Sequence, residues 1–475
     1  MSVFDGQPWA PTDETPDARG KSSTYTDGVR PFLGTLVQHS LATGVWRLLG
    51  QGGAVPSRHD AGRQLTEAIL IGAGQRGHFV YGRWALDHPG RLRIVAVADP
   101  RRDRIERFGD AHGIPSSHRF DNPDTLLALP RVAPAAIIAS PDRMHHRHVL
   151  GALEAGYHVL AEKPMAATLA ECVELVDAST RSPASLHIGH VLRFTPFFQT
   201  LKEVVRSGRL GDIVTVEHRE NVRSWHMAHS YVRGNWGRAE TATPMIVAKC
   251  CHDFDILHWN LNSPVTRMAS VGSLFEFHPE RAPRGATARC TDPCPVVDCP
   301  YDARRIYLDP AMQGWPIHVI TDDLSREGRV EALQRGPYGR CAYRAESNVV
   351  DHQIVTMELE SGTSVALIMH GHSHEESRTM RYDGTRATLR GFFGRQQSIT
   401  VIDHVSGQPE EIPIGSGVGG HGGGDAGIME AFLATVETGV PPATPATESF
   451  ESHLLAFLAE EARKSGAVID VTARR

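Results

Sequence analysis

Short apolar runs alternate with helix-length segments from Glu67 to about residue 191, and this alternation constrains the fold more than any other feature of the 475-residue chain. EAILIG, LRIVAVAD, PAAIIAS and HVLAEKP have the length and composition of buried strands, and helical patterns such as RDRIERFGDAHG separate them. Strands joined by crossover helices form right-handed βαβ units. The pattern therefore predicts an α/β domain over residues 65–187, built as a doubly wound parallel sheet.

The second half of the chain shows a different pattern. Segments such as DIVTVEHREN and DHQIVTMELESGTSVALIMHG alternate polar and apolar residues and are joined by Gly-containing turns. We therefore expect residues 188–475 to form an α+β domain with a large, mostly antiparallel sheet that is open on one face. A Cys-, Pro- and Arg-rich insertion interrupts this domain at about residues 274–345, and SFESHLLAFLAEEARKSG predicts a C-terminal helix.

Residues 1–64 form an N-terminal extension outside both patterns. Leu33, Leu36, Val37 and Leu41 are spaced as on an amphipathic helix, which packs either on its own chain or against another subunit.

Composition excludes several function classes. The net charge of −6 gives no electrostatic basis for binding nucleic acid or an anionic membrane. No apolar run is long enough to cross a bilayer, and the N-terminus lacks the basic start and apolar core of a secretory signal. The odd number of cysteines, 7, favours reduced thiols over a disulfide framework. We expect a cytoplasmic protein.

A glycine motif stands directly between the first strand and the following helix. Residues 72–77, Gly-Ala-Gly-Gln-Arg-Gly, match the motif G-x-G-x-x-G. This spacing indicates a dinucleotide-binding loop when, as here, it directly follows a strand and opens a helix. Gly72 allows the tight turn, Gly74 lets the backbone approach a pyrophosphate, and Gly77 permits close helix packing. The phosphates then bind the free N–H groups of a helix N-terminus. We predict a dinucleotide on this loop, including Gln75 and Arg76, and hence a Rossmann domain.

The second strand ends at Asp99, where a carboxylate can bind the ribose hydroxyls of the cofactor. A carboxylate repels a 2′-phosphate, so this position favours NAD. Arg101 and Arg102 follow closely, and an arginine here can pair with a 2′-phosphate, which leaves NADP possible.

Two further segments carry groups suited to chemistry on a hydroxyl or carbonyl. Lys163 follows a strand that ends at the carboxyl edge of the parallel sheet, where its ammonium can stabilise a developing alkoxide. On the predicted helix PMIVAKCCHDFD, the residues Lys249, His252 and Asp255 share a face. His252 can exchange a proton with a hydroxyl near neutral pH, and Asp255 can fix its tautomer or anchor the helix. Alternatively, Lys163 is a solvated surface residue and the helix residues only pack.

An ordered set of motifs resembles those of the Gfo/Idh/MocA family (glucose-fructose oxidoreductase, inositol dehydrogenase and rhizopine catabolism). The motifs span about residues 65–475. They are Glu162-Lys163-Pro164, Ser140-Pro141-Asp142 with His145, Ala155-Gly156-Tyr157-His158-Val159, Arg193-Phe194 with Pro196, the segment GHGGGD at 420–425, and Glu448-Ser449 through His453.

The resemblance implies a Rossmann domain followed by an α/β domain, with NAD(P) between them and a small sugar, polyol or derivative as substrate. It also implies a homodimer or homotetramer formed through the open sheet. Ser140, Pro141, His145, Glu162 and Arg193 join Lys163 as expected cofactor-binding residues. His252 and Asp255 match the family pattern D-x-x-x-H-x-x-D, whereas its first acid is replaced by Ala248, which suggests a polar role for Lys249.

Three cysteines, Cys290, Cys294 and Cys299, lie close together in the insertion. Their spacing lacks the paired C-x2-C of common zinc sites, so we predict no metal. The alternative is a metal site with a fourth ligand from Cys250, Cys251 or a histidine.

The leading functional hypothesis is hydride transfer between a nicotinamide and the hydroxyl or ketone carbon of a sugar, polyol or sugar-derived substrate. The alternative is NAD-dependent glycoside hydrolysis by transient oxidation, elimination and re-reduction. A third possibility, a non-catalytic protein that senses the cofactor, is disfavoured by the presence of Lys163 and His252.

Overall fold

The computed structural model describes residues 64–417 and 419–475. The predicted N-terminal extension, with its helical pattern between Leu33 and Leu41, lies outside the described residues up to position 63.

The first domain contains a six-stranded parallel sheet of order β3-β2-β1-β4-β5-β6. Its strands are β1 (Thr66–Ile71), β2 (Leu92–Ala98), β3 (Arg119–Phe120), β4 (Ala135–Ile138), β5 (His158–Ala161) and β6 (Leu186–Ile188). Strand β1 pairs in parallel with both β2 and β4, so the strand order reverses at β1. Apart from polar residues near their N-terminal ends, the inner strands are apolar because helices cover both faces of the sheet. This is the predicted doubly wound sheet, and sheets of this kind bind ligands at the carboxyl ends of the strands where the order reverses, which here is at β1.

Helices connect the strands in the predicted alternation. The first begins as a π-helical turn, Gly77–Gly82, and continues as α1 (Arg83–Asp87). The others are α2 (Arg102–Ala111), α3 (Pro123–Leu127), α4 (Asp142–Glu154) and α5 (Leu169–Arg181). The sequence pattern did not predict α3 and β3, which are too short to show a period. Helix α5 begins with a capping box, in which Thr168 and Glu171 each bind the other's backbone N–H.

The second domain is built on a nine-stranded sheet of order β14-β13-β12-β11-β7-β10-β9-β8-β15. Its strands are β7 (Ile213–Arg223), β8 (Val265–Ser273), β9 (His352–Leu359), β10 (Ser364–Ser373), β11 (Ser377–Gly384), β12 (Ala387–Phe393), β13 (Ser398–Asp403), β14 (Pro409–Glu411) and β15 (Ile469–Asp470). Strands β7 and β10 pair in parallel, and all other neighbours pair antiparallel. The largely antiparallel sheet was predicted.

Two long helices cover one face of this sheet and fix its position on the first domain. They are α8 (Met245–Leu261) and α13 (Ala446–Ser465), which pack against each other, and α13 also contacts β8 and α5. The other helices of the domain are α6 (Pro196–Arg206), α7 (Ser224–His226), α9 (Ala303–Tyr307), α10 (Ile317–Ile320), α11 (Arg326–Arg335) and α12 (Gly424–Thr438). The domain also has a π-helical turn at Met227–Arg233 and 3₁₀ turns at Val191–Phe194, Pro279–Arg281, Pro337–Gly339, Ala342–Arg344, Gly420–Gly423 and Thr472–Arg474, and the first domain has one 3₁₀ turn, at Ser116–His118.

The opposite face of the large sheet is open. Val271 on β8 and its cross-strand neighbour Ile354 on β9 are 67% and 38% exposed, as expected for a face that no helix among residues 64–417 and 419–475 covers. Assembly through this face stays a prediction. In the described ranges, no helix is long and apolar enough to cross a membrane.

The insertion between β8 and β9 has a small core of its own. Ala303, Tyr307, Ile317, Leu333 and Tyr338 are buried together, so the three helices α9, α10 and α11 pack as a unit. The Tyr307 hydroxyl lies 2.6 Å from Nδ1 of His229, which attaches the unit to the π-helical turn of the main domain.

Candidate functional site

The loop between β1 and the first helix uses its three glycines for different reasons. A Cβ on Gly72, which has φ +97°, would lie 2.6 Å from the backbone of Ala139. A Cβ on Gly77 would lie 1.9 Å from the carbonyl oxygen of Gly72. At Gly74 the nearest atom would be the flexible end of Arg104, at 3.3 Å. The fold itself thus requires Gly72 and Gly77, whereas Gly74 leaves the loop surface clear, as a bound pyrophosphate requires.

Asp99 is held at the end of β2 by the backbone. Its Oδ2 accepts a hydrogen bond from the N–H of Ala73, and its Oδ1 accepts one from the N–H of Arg101, both at 2.9 Å. The side chain of Arg101 pairs with Asp103 instead, and Nη1 of Arg104 lies 3.8 Å from Asp99 Oδ2. Each carboxylate oxygen keeps a further lone pair, so the oriented carboxylate fits the ribose hydroxyls of NAD.

Arg76 connects the glycine loop to both domains. Its Nε donates to Oε1 of Glu162, and its Nη2 donates to Oδ1 of Asp425 at 2.9 Å. The hydroxyl of Tyr81 also donates to Oε1 of Glu162, at 2.6 Å. Burial alone would raise the pKa of Glu162, but Arg76 and this hydrogen bond hold it below its usual value. The side chains of the predicted cofactor residues Arg76 and Glu162 thus bind each other at the base of the cleft.

The predicted residues after β4 support the same edge of the sheet. The two ring nitrogens of His145 lie 2.7 Å from the carbonyl oxygen of Pro164 and 2.8 Å from that of Ser140. The imidazole therefore fixes the Ser140-Pro141 loop against the segment that carries Lys163.

Lys163 reaches from the first domain to helix α8. Its Nζ donates to the carbonyl oxygen of Ala248 at 2.8 Å. In an α-helix this carbonyl also accepts the N–H of His252, so the ammonium lies one turn before that imidazole. Burial, followed by the Lys163 charge, lowers the pKa of His252 well below its usual value. Nδ1 of His252 is buried and has no hydrogen-bond partner among the described residues. The site therefore combines an ammonium and a neutral imidazole from different domains.

The other two predicted residues of α8 have different partners. Nζ of Lys249 donates to Oε1 of Glu376 at 2.8 Å and lies 3.2 Å from Oε1 of Glu220. Asp255 accepts two hydrogen bonds from Arg193, at 2.8 and 2.7 Å, and Arg193 also donates to Glu448 at 2.6 Å. Asp255 and Arg193, the latter a predicted cofactor residue, therefore form a buried ion pair beneath the site.

Sequence reasoning did not assign two histidines that border His252. The rings of His190 and His421 lie 5.8 and 6.4 Å from that of His252. His421 belongs to the GHGGGD segment, and its Nδ1 donates to Asp425, 3.1 Å away. The glycine-rich segment around His421 is a sequence feature that could have identified this histidine as a candidate site residue. His190, which follows β6, has no such feature.

The insertion cysteines line one small pocket. Cys290, Cys294 and Cys299 are joined there by Cys341, while Cys250 and Cys251 are buried in α8, and all seven cysteines of the chain are free thiols. Cys341 is brought close because its N–H donates to the carbonyl oxygen of Ala288 at 2.8 Å. Within residues 64–417 and 419–475, no group of three or more His, Cys, Asp or Glu side chains is placed to hold a metal ion.

Comparison with known proteins identifies the class. Residues 67–190 match the family model described as "oxidoreductase family, NAD-binding Rossmann fold", and residues 202–471 match its C-terminal alpha/beta domain. The chain belongs to the Gfo/Idh/MocA family of NAD-binding oxidoreductases.

Relatives in this family are named as dehydrogenases. The chain is 30% identical over 204 residues to inositol 2-dehydrogenase 1 of Saccharopolyspora erythraea, covering 42% of this chain and 54% of that protein. It is 34% identical over 151 residues to D-glucoside 3-dehydrogenase of Escherichia coli, covering 32% of this chain and 42% of that protein. The alignments thus span about half the length of these relatives.

A solved structure shares the fold. An oxidoreductase from Agrobacterium radiobacter in complex with NAD+, L-tartaric acid and magnesium superposes with a TM-score of 0.62 at 16% identity, covering 86% of this chain and 99% of that chain. Both this likeness and the family model confirm the predicted fold class, and the chain is an NAD-binding oxidoreductase.

Proposed function

We propose that the protein transfers a hydride between NAD and a secondary carbinol or ketone carbon of a cyclic polyol, sugar or sugar derivative. The observation that carries this proposal is the meeting of Lys163 with the helix turn of His252, where Nζ is 2.8 Å from the carbonyl oxygen of Ala248. The two groups come from different domains and meet at the carboxyl edge of the parallel sheet, where ligands of such sheets bind.

The residues supply the proton chemistry of the reaction. A nicotinamide bound on the Gly72–Gly77 loop would supply the hydride acceptor for oxidation of the carbinol carbon and the hydride donor for the reverse reduction. The neutral His252 accepts the hydroxyl proton during oxidation and gives it back during reduction. Lys163 keeps two N–H donors besides the one bound to Ala248, and it directs them at the substrate oxygen to stabilise the developing negative charge.

The remaining predicted residues act as positioning groups in this proposal. The Arg193–Asp255 pair anchors α8 beneath the site, while the contacts of Arg76 with Glu162 and Asp425 hold the domains in register. Lys249 pairs with the buried carboxylate of Glu220 and the more exposed carboxylate of Glu376. Residues 65–187 would thus carry the cofactor and residues 188–475 the substrate.

The names of the relatives support a ring-shaped, hydroxyl-rich substrate, because one is an inositol 2-dehydrogenase and another is a D-glucoside 3-dehydrogenase. These names also favour net hydride transfer over glycoside hydrolysis. The carboxylate of Asp99, with its fixed orientation, favours NAD over NADP.

The test is to incubate the purified protein with NAD+ and a panel of cyclitols, aldoses and glycosides. Absorbance at 340 nm and product mass are followed together. The proposal predicts a rise in absorbance and a product that is two hydrogen atoms lighter than its substrate. Release of an aglycone without net NADH would favour hydrolysis instead. No change in either signal with any member of the panel would contradict both.

A further inference from the structure

Two tryptophans from distant parts of the sequence meet beside the proposed reaction centre. Trp225 follows β7, Trp315 comes from the insertion, and their ring centroids are 5.0 Å apart. The ring of His226 contacts Trp315 edge-on, with centroids 4.8 Å apart. Trp315 is 39% exposed, so part of its apolar surface is open to a ligand.

A continuous series of contacts joins these aromatic rings to Lys163. Nδ1 of His226 donates to Oε2 of Glu376 at 2.9 Å, and Oε1 of the same carboxylate accepts from Lys249 at 2.8 Å. Lys249 directly follows Ala248, whose carbonyl oxygen binds Lys163. The aromatic pair is therefore linked through His226, Glu376 and Lys249 to the turn of α8 that Lys163 contacts. The charge of Lys163 is also among the causes, after burial, that lower the pKa of His226.

The segment that carries Trp315 continues to the cofactor side. Ile317 is buried in the core of the insertion. The ring of His318 stacks on Phe79, with centroids 4.5 Å apart and planes inclined by 24°. Asp322 forms an ion pair with Arg107 on α2. Phe79 belongs to the helix that begins at the glycine loop, so residues 315–322 extend from the aromatic pair to the cofactor-binding domain.

We propose that Trp225 and Trp315 form a binding platform for the apolar face of a sugar or cyclitol ring, and that residues 315–322 are a strap holding Trp315 over the cleft. A ring of this kind presents C–H groups on its face and hydroxyls at its edge. An indole accepts the C–H face, while His226 and Glu376 bind hydroxyls. An open-chain alditol offers no such face. This inference rests on the proposed function for its choice of ligand.

The test compares Trp315→Ala, Trp225→Ala and the conservative Trp315→Phe with the natural protein. Phe275→Ala is the matched control, because Phe275 is an exposed aromatic residue, 53% exposed, at the start of the insertion. Calorimetry with the NAD+-loaded protein measures binding of D-glucose, methyl β-D-glucoside and myo-inositol, with sorbitol as the open-chain comparison. Circular dichroism confirms that each variant is folded.

We expect each Trp→Ala change to weaken binding of the best ring compound by at least about 10-fold, as for a tryptophan at the centre of a binding surface. Trp315→Phe should recover most of this loss, and Phe275→Ala should change nothing. Unchanged binding in folded Trp315→Ala, an equal loss for sorbitol, or no binding of any ring compound to the natural protein would overturn the platform. Loss of ring binding without any NADH formation by the natural protein would instead support the platform and contradict the proposed function.

Discussion

The two sides of the cleft are built in different ways. On the cofactor side, one loop of six residues, Gly72–Gly77, and one acid at the next strand end form the proposed cradle. On the proposed substrate side, Trp225, His252 and Trp315 come from three separate segments, and the loop of His421 adds a fourth. A backbone that requires glycine can be recognised from a short sequence motif. A surface that is assembled by tertiary packing cannot be recognised from sequence in this way.

The largest effects on the cofactor side are expected from substitutions that distinguish the role of Gly74 from that of Gly77. Gly74→Val should raise the Kd for NAD about 100-fold while leaving the fold intact, because its nearest obstacle is the mobile end of Arg104 and the new side chain occupies the pyrophosphate position. Gly77→Ala is the contrasting variant. Its Cβ would lie 1.9 Å from a carbonyl oxygen, so it should lower the free energy of unfolding by about 1–3 kcal/mol or more.

Nucleotide titration and denaturant unfolding of both variants distinguish the two effects. If Gly74→Val bound NAD normally, the loop would not be the cofactor site. If Gly77→Ala were as stable as the natural protein, the structural reason for the third glycine would be wrong.

Asp99 provides a smaller and more selective test of the same side. Asp99→Ala should weaken NAD by about 10- to 100-fold, since it removes a charged hydrogen-bond acceptor. The affinity for NADP should fall much less, because the substitution also removes the repulsion between the carboxylate and the 2′-phosphate. Asp99→Asn keeps one acceptor oxygen for the N–H of Ala73 and loses the acceptor for the N–H of Arg101, so it should disturb the loop less than Asp99→Ala while still removing the charge. Tighter binding of NADP than of NAD by the natural protein would contradict the assigned preference.

Buried histidines near the interface of the domains predict a loss of stability in acid. Burial lowers the pKa of His187 to about 3, that of His190 to about 4 and that of His453 to about 3. The unfolded chain binds protons at these sites near pH 6.5, whereas the folded chain does not until much lower pH. The free energy of unfolding should therefore fall as pH drops from about 6.5 towards 4, each group adding up to about 1.4 kcal/mol per pH unit.

His187→Leu isolates one of these groups, because both ring nitrogens of His187 are buried without a partner in the described structure. Its unfolding free energy should depend less steeply on pH than that of the natural protein. The exposed His374→Leu is the control, since that side chain is 90% exposed. Equal slopes for all three proteins in urea titrations between pH 7 and 4.5 would contradict this account.

Much of the fold was predictable because its periodicities are strong. The βαβ alternation and the alternating strands of the second sheet both appear in the structure. The parallel pairing of β7 with β10 was not predictable, because these strands are separated by about a third of the chain and alternation does not specify a partner. The sequence pattern also did not predict the three helices of the insertion. α9 and α10 are only 5 and 4 residues long, and α11 (REGRVEALQR) has too few apolar residues to show a helical period.

The site was predictable to the extent that motifs mark it. The spacing of Lys249, His252 and Asp255 predicted that they lie on one helix, but the sequence did not show which residues they contact. Glu376, which binds Lys249, is more than a hundred residues further along the chain. Trp315 and His190 carry no local signal at all. Their positions depend on how the insertion, the strands and helices α8 and α13 pack together in the folded protein.

The most direct test of the central claim is the turnover of Lys163→Ala, His252→Ala and the double variant, measured at 340 nm with the best substrate. Each single change should lower kcat by about 10²–10⁴ while NAD still binds, because neither side chain belongs to the phosphate loop. Since both groups act on one substrate oxygen, the double variant should be little slower than the slower single one. A fully active His252→Ala enzyme, or one that only loses stability while its folded fraction turns over normally, would contradict the mechanism.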